Sequence, residues 1–566
     1  MEHRARLQNF AEDNSCGPGR RWTVGPVHGC ALNFEHKLGP RGKLLFQGAP
    51  HRLGAGQMRT LSNGWAAFSP GSSTQPLDCV LIRKPIQGRI INAWLVLTAV
   101  LGTVIAVADG LTRAPVSERE AYWNGPLEYQ PYLGTVLLAA LTLPLMFGYV
   151  RRAGVTVGEG FLLWFVFCTA AYTRDFSYIH LPGTPLFVTD CVLVILFLSI
   201  YLAARSGRLD VPLPVNIFVA MIVAAGTLAA LRGILQHRDL IFVLRDSALV
   251  AYPLFLYIAH HLFRSWLSIK RMAVWFLLGT ALSVLNGFAW FLAAPQERRF
   301  IYYGTYILMA LVGTFVAMAN QLLRPRVAWL LAGLFCLGLA LANARTLFVA
   351  LPILLVVGLG GGGLARRKSL RHAKVLTTLV AATVLIGALT ILFLRTDTGR
   401  DFAERSSQEL ASGVLHSEED TNWQFRLSAW KEAWRRFEEY PLAGEGYGIP
   451  FVFEMLPIDN DPRPHNTFLT VLYKMGLIGF LPLLLLLVHF FWSVGGAARR
   501  NLENPRVAWL WIVILAMAAF CFYGSANLLL ESPFLASMFW MLVGLGHRMA
   551  RMVDLERTLS RPANGN

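Results

Sequence analysis

PHNTFLTVLYKMGLIGFLPLLLLLVHFFWS, residues 464–493, decides the fold. A helix needs roughly 20 consecutive apolar residues to cross a hydrocarbon core about 30 Å thick, and residues 467–493 supply them. Similar runs lie at 90–109, 132–150, 155–172, 184–204, 212–231, 240–262, 272–293, 300–322, 327–343, 346–362, 375–394, 507–529 and 533–548. Counted together they are about 14 candidate spans. The expected fold class is all-α: a polytopic transmembrane helix bundle of about 12–14 spans, with one long external loop domain containing amphipathic helices.

Composition agrees. The 566 residues are 55% hydrophobic and 15% charged, with a mean hydropathy of +0.48, against about 25% charged in soluble domains. The net charge of +17 belongs to loops that fix topology, because no basic region forms an aromatic-interleaved surface for nucleic acid. Seven cysteines (Cys16, Cys30, Cys79, Cys168, Cys191, Cys336, Cys521) are scattered without a CxxC. They indicate neither a disulfide framework nor a zinc site.

The basic residues alternate between loops. Arg151-Arg152, Arg205/Arg208, Arg264/Lys270/Arg271, Arg324/Arg326, Arg366-Arg367-Lys368, Arg499-Arg500 and Arg548/Arg551 fall on every second connection. The connections at 111–131, 173–185 and 531–533 are acidic, neutral or short. The positive-inside rule then puts both termini in the cytoplasm and residues 395–466 outside. The expected division is a poorly ordered cytoplasmic extension (1–85), eleven spans (86–395), an external loop domain (396–466), three spans (467–550) and a cytoplasmic tail (551–566). The external stretch is too long for a simple connector.

Chemistry concentrates in that stretch. Trp423, Leu427, Trp430, Trp434 and Phe437 recur at the spacing of one helix face. This predicts an amphipathic helix lying on the bundle or on lipid headgroups, with Trp as the interface anchor. Arg426 flanks the stripe at the boundary with water, where a guanidinium grips phosphate bidentately; Arg435, Arg436 and Glu439 are expected to point well away from it. The glycines of Pro441-Leu-Ala-Gly-Glu-Gly-Tyr-Gly448 allow backbone N–H groups to converge into an anion-binding concavity; a plain turn is the competing reading. In Pro464-His465-Asn466-Thr467, Asn466 or Thr467 caps the next span. His465 is left near a positive dipole end that favours the neutral form a general base requires.

Arg345 sits at the external end of a hairpin between two spans, where an arginine is costly and points to a functional site; snorkelling to the interface from the helix end is the competing reading. Arg174-Asp175 and Arg245-Asp246 are adjacent opposite charges near external helix ends. They either line the site or merely neutralise one another. Asp459-Asn-Asp461 resembles a metal-binding Asp-x-Asp but reads equally as a turn, and no metal is assigned.

In order, Arg345-Thr346, Arg426-x3-Trp430, the Gly444-x-Gly446-x-Gly448 turn, His465-Asn466-x2-Leu469 and Gly476-x2-Gly479 resemble the O-antigen ligase/polymerase superfamily of bacterial inner-membrane glycosyltransferases. The resemblance covers about residues 320–495 by motif. It implies a donor glycan on undecaprenyl pyrophosphate and a lipid, glycan or protein acceptor, with membrane lipid around the chain and neither metal nor cofactor. His465 would deprotonate the acceptor hydroxyl, Arg345 and Arg426 would bind the pyrophosphate, and Gly444, Gly446 and Gly448 would shape the pocket. Asn466, Arg174 and Arg245 complete the candidate substrate-binding set. The long N-terminal extension departs from the family layout. A repeat-unit polymerase is the nearest alternative activity, and a lipid-linked glycan transporter the next.

Overall fold

The computed structural model describes residues 85–112, 133–180, 186–204, 211–293, 304–342, 345–360, 421–453 and 463–560. The expected N-terminal extension, the span at 375–394, Asp459, Asp461 and the last six residues lie outside them.

Helices account for nearly all the described chain: α1 (Pro85–Thr112), α2 (Leu133–Ala153), α3 (Val157–Ser177), α4 (Val188–Ala204), α5 (Leu213–Leu235), α6 (Leu240–Asp246), α7 (Ala248–Ala251), α8 (Leu254–Leu262), α9 (Trp266–Ala293), α10 (Gly304–Ala319), α11 (Pro325–Ala342), α12 (Arg345–Gly360), α13 (Thr421–Glu439), α14 (Thr467–Arg500), α15 (Val507–Gly524) and α16 (Pro533–Ser560). Among the described residues β-pairing is limited to one isolated bridge, His180 to Phe187. Apolar chain that must satisfy its own backbone polar groups in lipid has few other options. Among the described residues eight helical stretches are long and apolar enough to cross a membrane, and two shorter apolar helices accompany them. The chain is an all-α, multi-pass membrane protein.

Three expected spans are not straight. Residues 240–262 form three short helices, because Ser247 interrupts the first and Pro253, which has no N–H to donate, starts the third. Helix α3 breaks at Thr173 (φ 37°), one residue before Arg174. Helix α14 breaks at Gly476 (φ 61°). All three irregularities fall on elements that build the site.

Helix α9 packs against α1 and α3, α14 against α5, and α8 against α16. Small residues permit the closest approaches: a Cβ on Gly544 of α16 would lie 2.1 Å from the Leu256 carbonyl oxygen of α8. Helix α14 spans about 50 Å and separates two polar ends. The Arg500 end carries Arg500–Asp554 at 2.8 Å and the Trp266 indole bonded to Glu556 at 2.8 Å. The Thr467 end carries the candidate site.

Candidate functional site

Helix α13 lies on the bundle chiefly by its small residues, with Trp423 and Trp434 left outside that contact. Ala429 and Ala433 are buried against Phe451, Phe453 and Tyr473, with Phe425 and Phe437 alongside. Trp423, Leu427 and Trp434 stay exposed. Small residues allow close packing on protein, whereas tryptophan gains from a headgroup layer. The expectation that Arg436 points away is corrected on the same ground. It is 8% exposed, pairs with Glu432 at 2.8 Å and Glu445 at 3.2 Å, and lies over the Phe451 ring.

The glycine turn is a docking device. Its N–H groups do not converge on an open concavity: Gly444 donates to the Tyr440 carbonyl (2.9 Å), Gly446 to the Lys474 carbonyl (3.0 Å) and Gly448 to Asp246 Oδ2 (3.1 Å). Glu445 N–H donates to the Tyr473 carbonyl at 2.7 Å, while Leu477 N–H returns a bond to Pro441 at 2.9 Å. The break at Gly476 makes this possible by exposing carbonyls and N–H groups of α14 to the turn. A Cβ on Gly444 would lie 2.3 Å from the Lys474 carbonyl carbon, so contact requires glycine. On the other side Arg238 donates to the carbonyls of Tyr447 (2.9 Å) and Glu445 (3.0 Å), and Arg232 to that of Gly444 (2.5 Å).

The His465 arm is equally pinned. Asn466 is the N-cap of α14; its Oδ1 accepts from the N–H groups of Phe468 and Leu469, both at 3.1 Å. The Trp430 indole donates to the Pro464 carbonyl at 2.8 Å. Thr467 Oγ1 accepts from Leu529 N–H at 2.7 Å, and the Arg426 guanidinium reaches Asn527 Oδ1 at 3.5 Å. His465 itself takes a left-handed backbone (φ 49°), a strained choice for a residue with a side chain. Its ring meets Phe425 edge-on at 5.9 Å. Burial, with Arg426 and Arg463 alongside, pulls its pKa down to about 4. The imidazole is therefore neutral at ordinary pH, chiefly through desolvation and the two guanidiniums.

Beneath the arm lies a buried charge cluster. Lys474 Nζ bonds Asp246 Oδ1 at 2.7 Å and lies 3.8 Å from Glu531 Oε1; Arg463 Nε lies 3.7 Å from the same oxygen. The Lys474, Asp246 and Glu531 side chains are 3%, 2% and 1% exposed. Burial lowers the pKa of Arg463, but the Glu531 and Asp246 carboxylates outweigh it and the net shift is upward.

The structure thus gathers Arg426, His465 and Asn466 at one mouth, with the glycine turn docked beside them. Arg245 lies over the Phe242 ring at 4.7 Å, next to Asp246, whose bonded cation is Lys474. Arg174 follows the break in α3, and its carbonyl accepts from Tyr178 N–H at 2.9 Å. Arg345 opens α12; its side chain lies outside the described set. Sequence reasoning passed over Lys474, Glu531, Arg463, Arg232 and Arg238. Lys474 had an available signal, being a cation inside an apolar span.

These observations define a class: a multi-pass membrane helix bundle with a neutral, guanidinium-flanked imidazole on a loop at one bundle end. Residues 330–484 match the family model described as O-Antigen ligase. The match supports the O-antigen ligase/polymerase superfamily, which the motifs resemble, and in general terms the glycosyltransferase activity and lipid-linked glycan substrates of that family. Arg345, Arg426, the three glycines and His465 fall inside the matched stretch; Asp246 and Glu531 fall outside it. No curated protein matches the chain.

Proposed function

We propose that this chain transfers a glycan from undecaprenyl pyrophosphate to an acceptor hydroxyl at the outer face of the bacterial cytoplasmic membrane. The observation that carries the proposal is the His465 ring, on a left-handed backbone (φ 49°) at the start of α14 and edge-on to Phe425 at 5.9 Å, with Arg426 and Arg463 beside it. The acceptor O–H gives its proton to the imidazole as its oxygen attacks the anomeric carbon. The bond from that carbon to the pyrophosphate oxygen breaks, and undecaprenyl pyrophosphate leaves. Attack opposite the leaving group inverts the anomeric configuration. Arg426 and Arg345 hold the departing diphosphate, where fixed cations stabilise developing charge. The glycine turn sets the depth of the pocket, and Asn466 fixes the start of α14 beneath it. Arg174 and Arg245 add positive potential at the same end.

The donor also tunes the base. Burial chiefly holds His465 low, with the two guanidiniums adding to it; a bound diphosphate offsets the guanidinium part, so the imidazole becomes more basic once the donor is in place. The test is glycan transfer by purified protein in nanodiscs, with undecaprenyl-pyrophosphate-linked glycan as donor. His465→Ala is expected to lower kcat by about 10²–10⁴ while the protein stays folded; undiminished transfer removes the base assignment. Mass spectrometry of surface glycans after gene deletion separates the two family activities. Long carrier-bound chains indicate a ligase, and single accumulated repeats a polymerase.

A further inference from the structure

Lys474 touches both halves of the site through one side chain and one carbonyl. Its carbonyl accepts from Gly446 N–H at 3.0 Å. Its ammonium bonds Asp246 Oδ1 at 2.7 Å, and the other oxygen of that carboxylate accepts from Gly448 N–H at 3.1 Å. The same ammonium faces Glu531 Oε1 at 3.8 Å. Glu531 in turn holds Arg463 by its carboxylate at 3.7 Å and by its backbone carbonyl at 3.4 Å. Arg463 is two residues from His465.

We propose that Lys474 is a positioning residue for the transfer step: shared between Asp246 and Glu531, its ammonium sets the spacing between the glycine turn and the Arg463–His465 arm. This rests on the reading of His465 as base.

Stability alone accounts poorly for the arrangement. Both Glu531 oxygens are buried and have no hydrogen-bond partner in the structure, and an under-satisfied buried carboxylate is expensive. Replacing buried ion pairs by apolar side chains is often neutral or stabilising. The cluster does supply a fixed distance between segments 228 residues apart in the chain. Reaction rates respond steeply to such distances, and a misplacement of about 1 Å costs about 10²-fold.

Two variants and two readouts test this on full-length protein in nanodiscs. Lys474→Arg keeps the charge and changes the reach. Lys474→Met combined with Asp246→Asn removes a charge of each sign together, and so avoids the uncompensated carboxylates of Lys474→Met alone. The first readout is transfer, with kcat and KM separated. The second is carbethoxylation of His465 by diethyl pyrocarbonate across pH, read by peptide mass spectrometry, which reports the position of the imidazole whether or not it is the base. Burial first, then Arg426 and Arg463, hold the His465 pKa down, so its titration midpoint moves when the arm is displaced relative to them. For Lys474→Arg, an unchanged melting temperature is expected with kcat lowered about 10-fold. For the double variant a fall of about 100-fold is expected, with KM held within about threefold and the His465 midpoint shifted from its wild-type value. Wild-type kcat in folded Lys474→Arg overturns the proposal, because charge balance alone would then suffice. An unmoved His465 midpoint in the double variant, or in Lys474→Arg should the double variant not fold, overturns it too. If the midpoint shifts while His465→Ala still transfers glycan, the positioning holds and the base reading falls.

Discussion

The two polar ends of the bundle use similar ion pairs at similar distances, yet the pairs do different jobs. At the Arg500 end the Arg500–Asp554 pair at 2.8 Å has side chains 53% and 39% exposed, and the Arg506–Glu556 pair is about one-third exposed. At the Thr467 end the Lys474–Asp246 pair at 2.7 Å is 3% and 2% exposed. An exposed pair contributes about 0–1 kcal/mol. A buried pair adds little net stability, but losing one partner leaves a charge stranded, at a cost of about 3–5 kcal/mol. Among the described residues the Arg500 end also has the largely buried pair Arg271–Glu159 at 3.7 Å, but that arginine also bonds the Ala153 carbonyl at the end of α2. It clips two helix ends together. Among the described residues, the buried charges of the Thr467 end connect the loops that form the candidate site.

The contrast breaks most directly at Asp246. Asp246→Ala takes the bonded carboxylate from Lys474, leaving the longer 3.8 Å contact to Glu531, and removes the acceptor of Gly448 N–H. It is expected to cost about 3–5 kcal/mol, read as lost folded yield and a lower melting temperature in detergent. A melting temperature equal to that of wild type would show that water reaches the cluster and that the two ends are alike.

A smaller effect sharpens the contrast through pH. His465 has a folded pKa of about 4, below its ordinary value near 6.5. A base works in its neutral form, so kcat/KM is expected to hold as pH falls through 6.5 and to drop about tenfold per unit only below about 4. The kcat limb is expected at higher pH, because bound diphosphate offsets the guanidiniums. Arg426→Ala removes one depressing charge and is expected to raise the kcat/KM limb. The stability linkage has the same sign. The folded state binds fewer protons, so the stabilisation from neutral His465 is complete above about 6.5 and is lost as pH falls toward 4. A kcat/KM limb at the ordinary histidine value would mean that the arm is open to water.

Much of this was legible beforehand, because lipid restricts the chain so strongly. Every candidate apolar run that falls on described residues is mainly helical, and the motif from Arg426 to His465 led to the family that the comparison supports. The amphipathic helix that the tryptophan stripe predicts is present as α13, with Trp423 and Trp434 exposed and Ala429 and Ala433 on the protein side. The buried charges left less to read. Asp246 was paired in the sequence with its neighbour Arg245, but its bonded cation lies 228 residues away. Glu531 gave no sign beyond an acidic turn. Long-range pairing of isolated charges leaves no local periodicity to read.

The smallest expected effect lies at the Arg500 end. Arg500→Ala removes the exposed pair, while Asp554 keeps the Asn501 amide at 2.7 Å. Stability is expected to change by less than about 1 kcal/mol, and transfer not at all. The control is informative because Arg500 and Lys474 share helix α14. A rigid rod would carry a disturbance from one end to the other, whereas the break at Gly476 and the proline at 482 interrupt the hydrogen-bond ladder between them. If Arg500→Ala lowers kcat without lowering the melting temperature, α14 transmits across that break. The charge state of the Arg500 end would then set the position of His465.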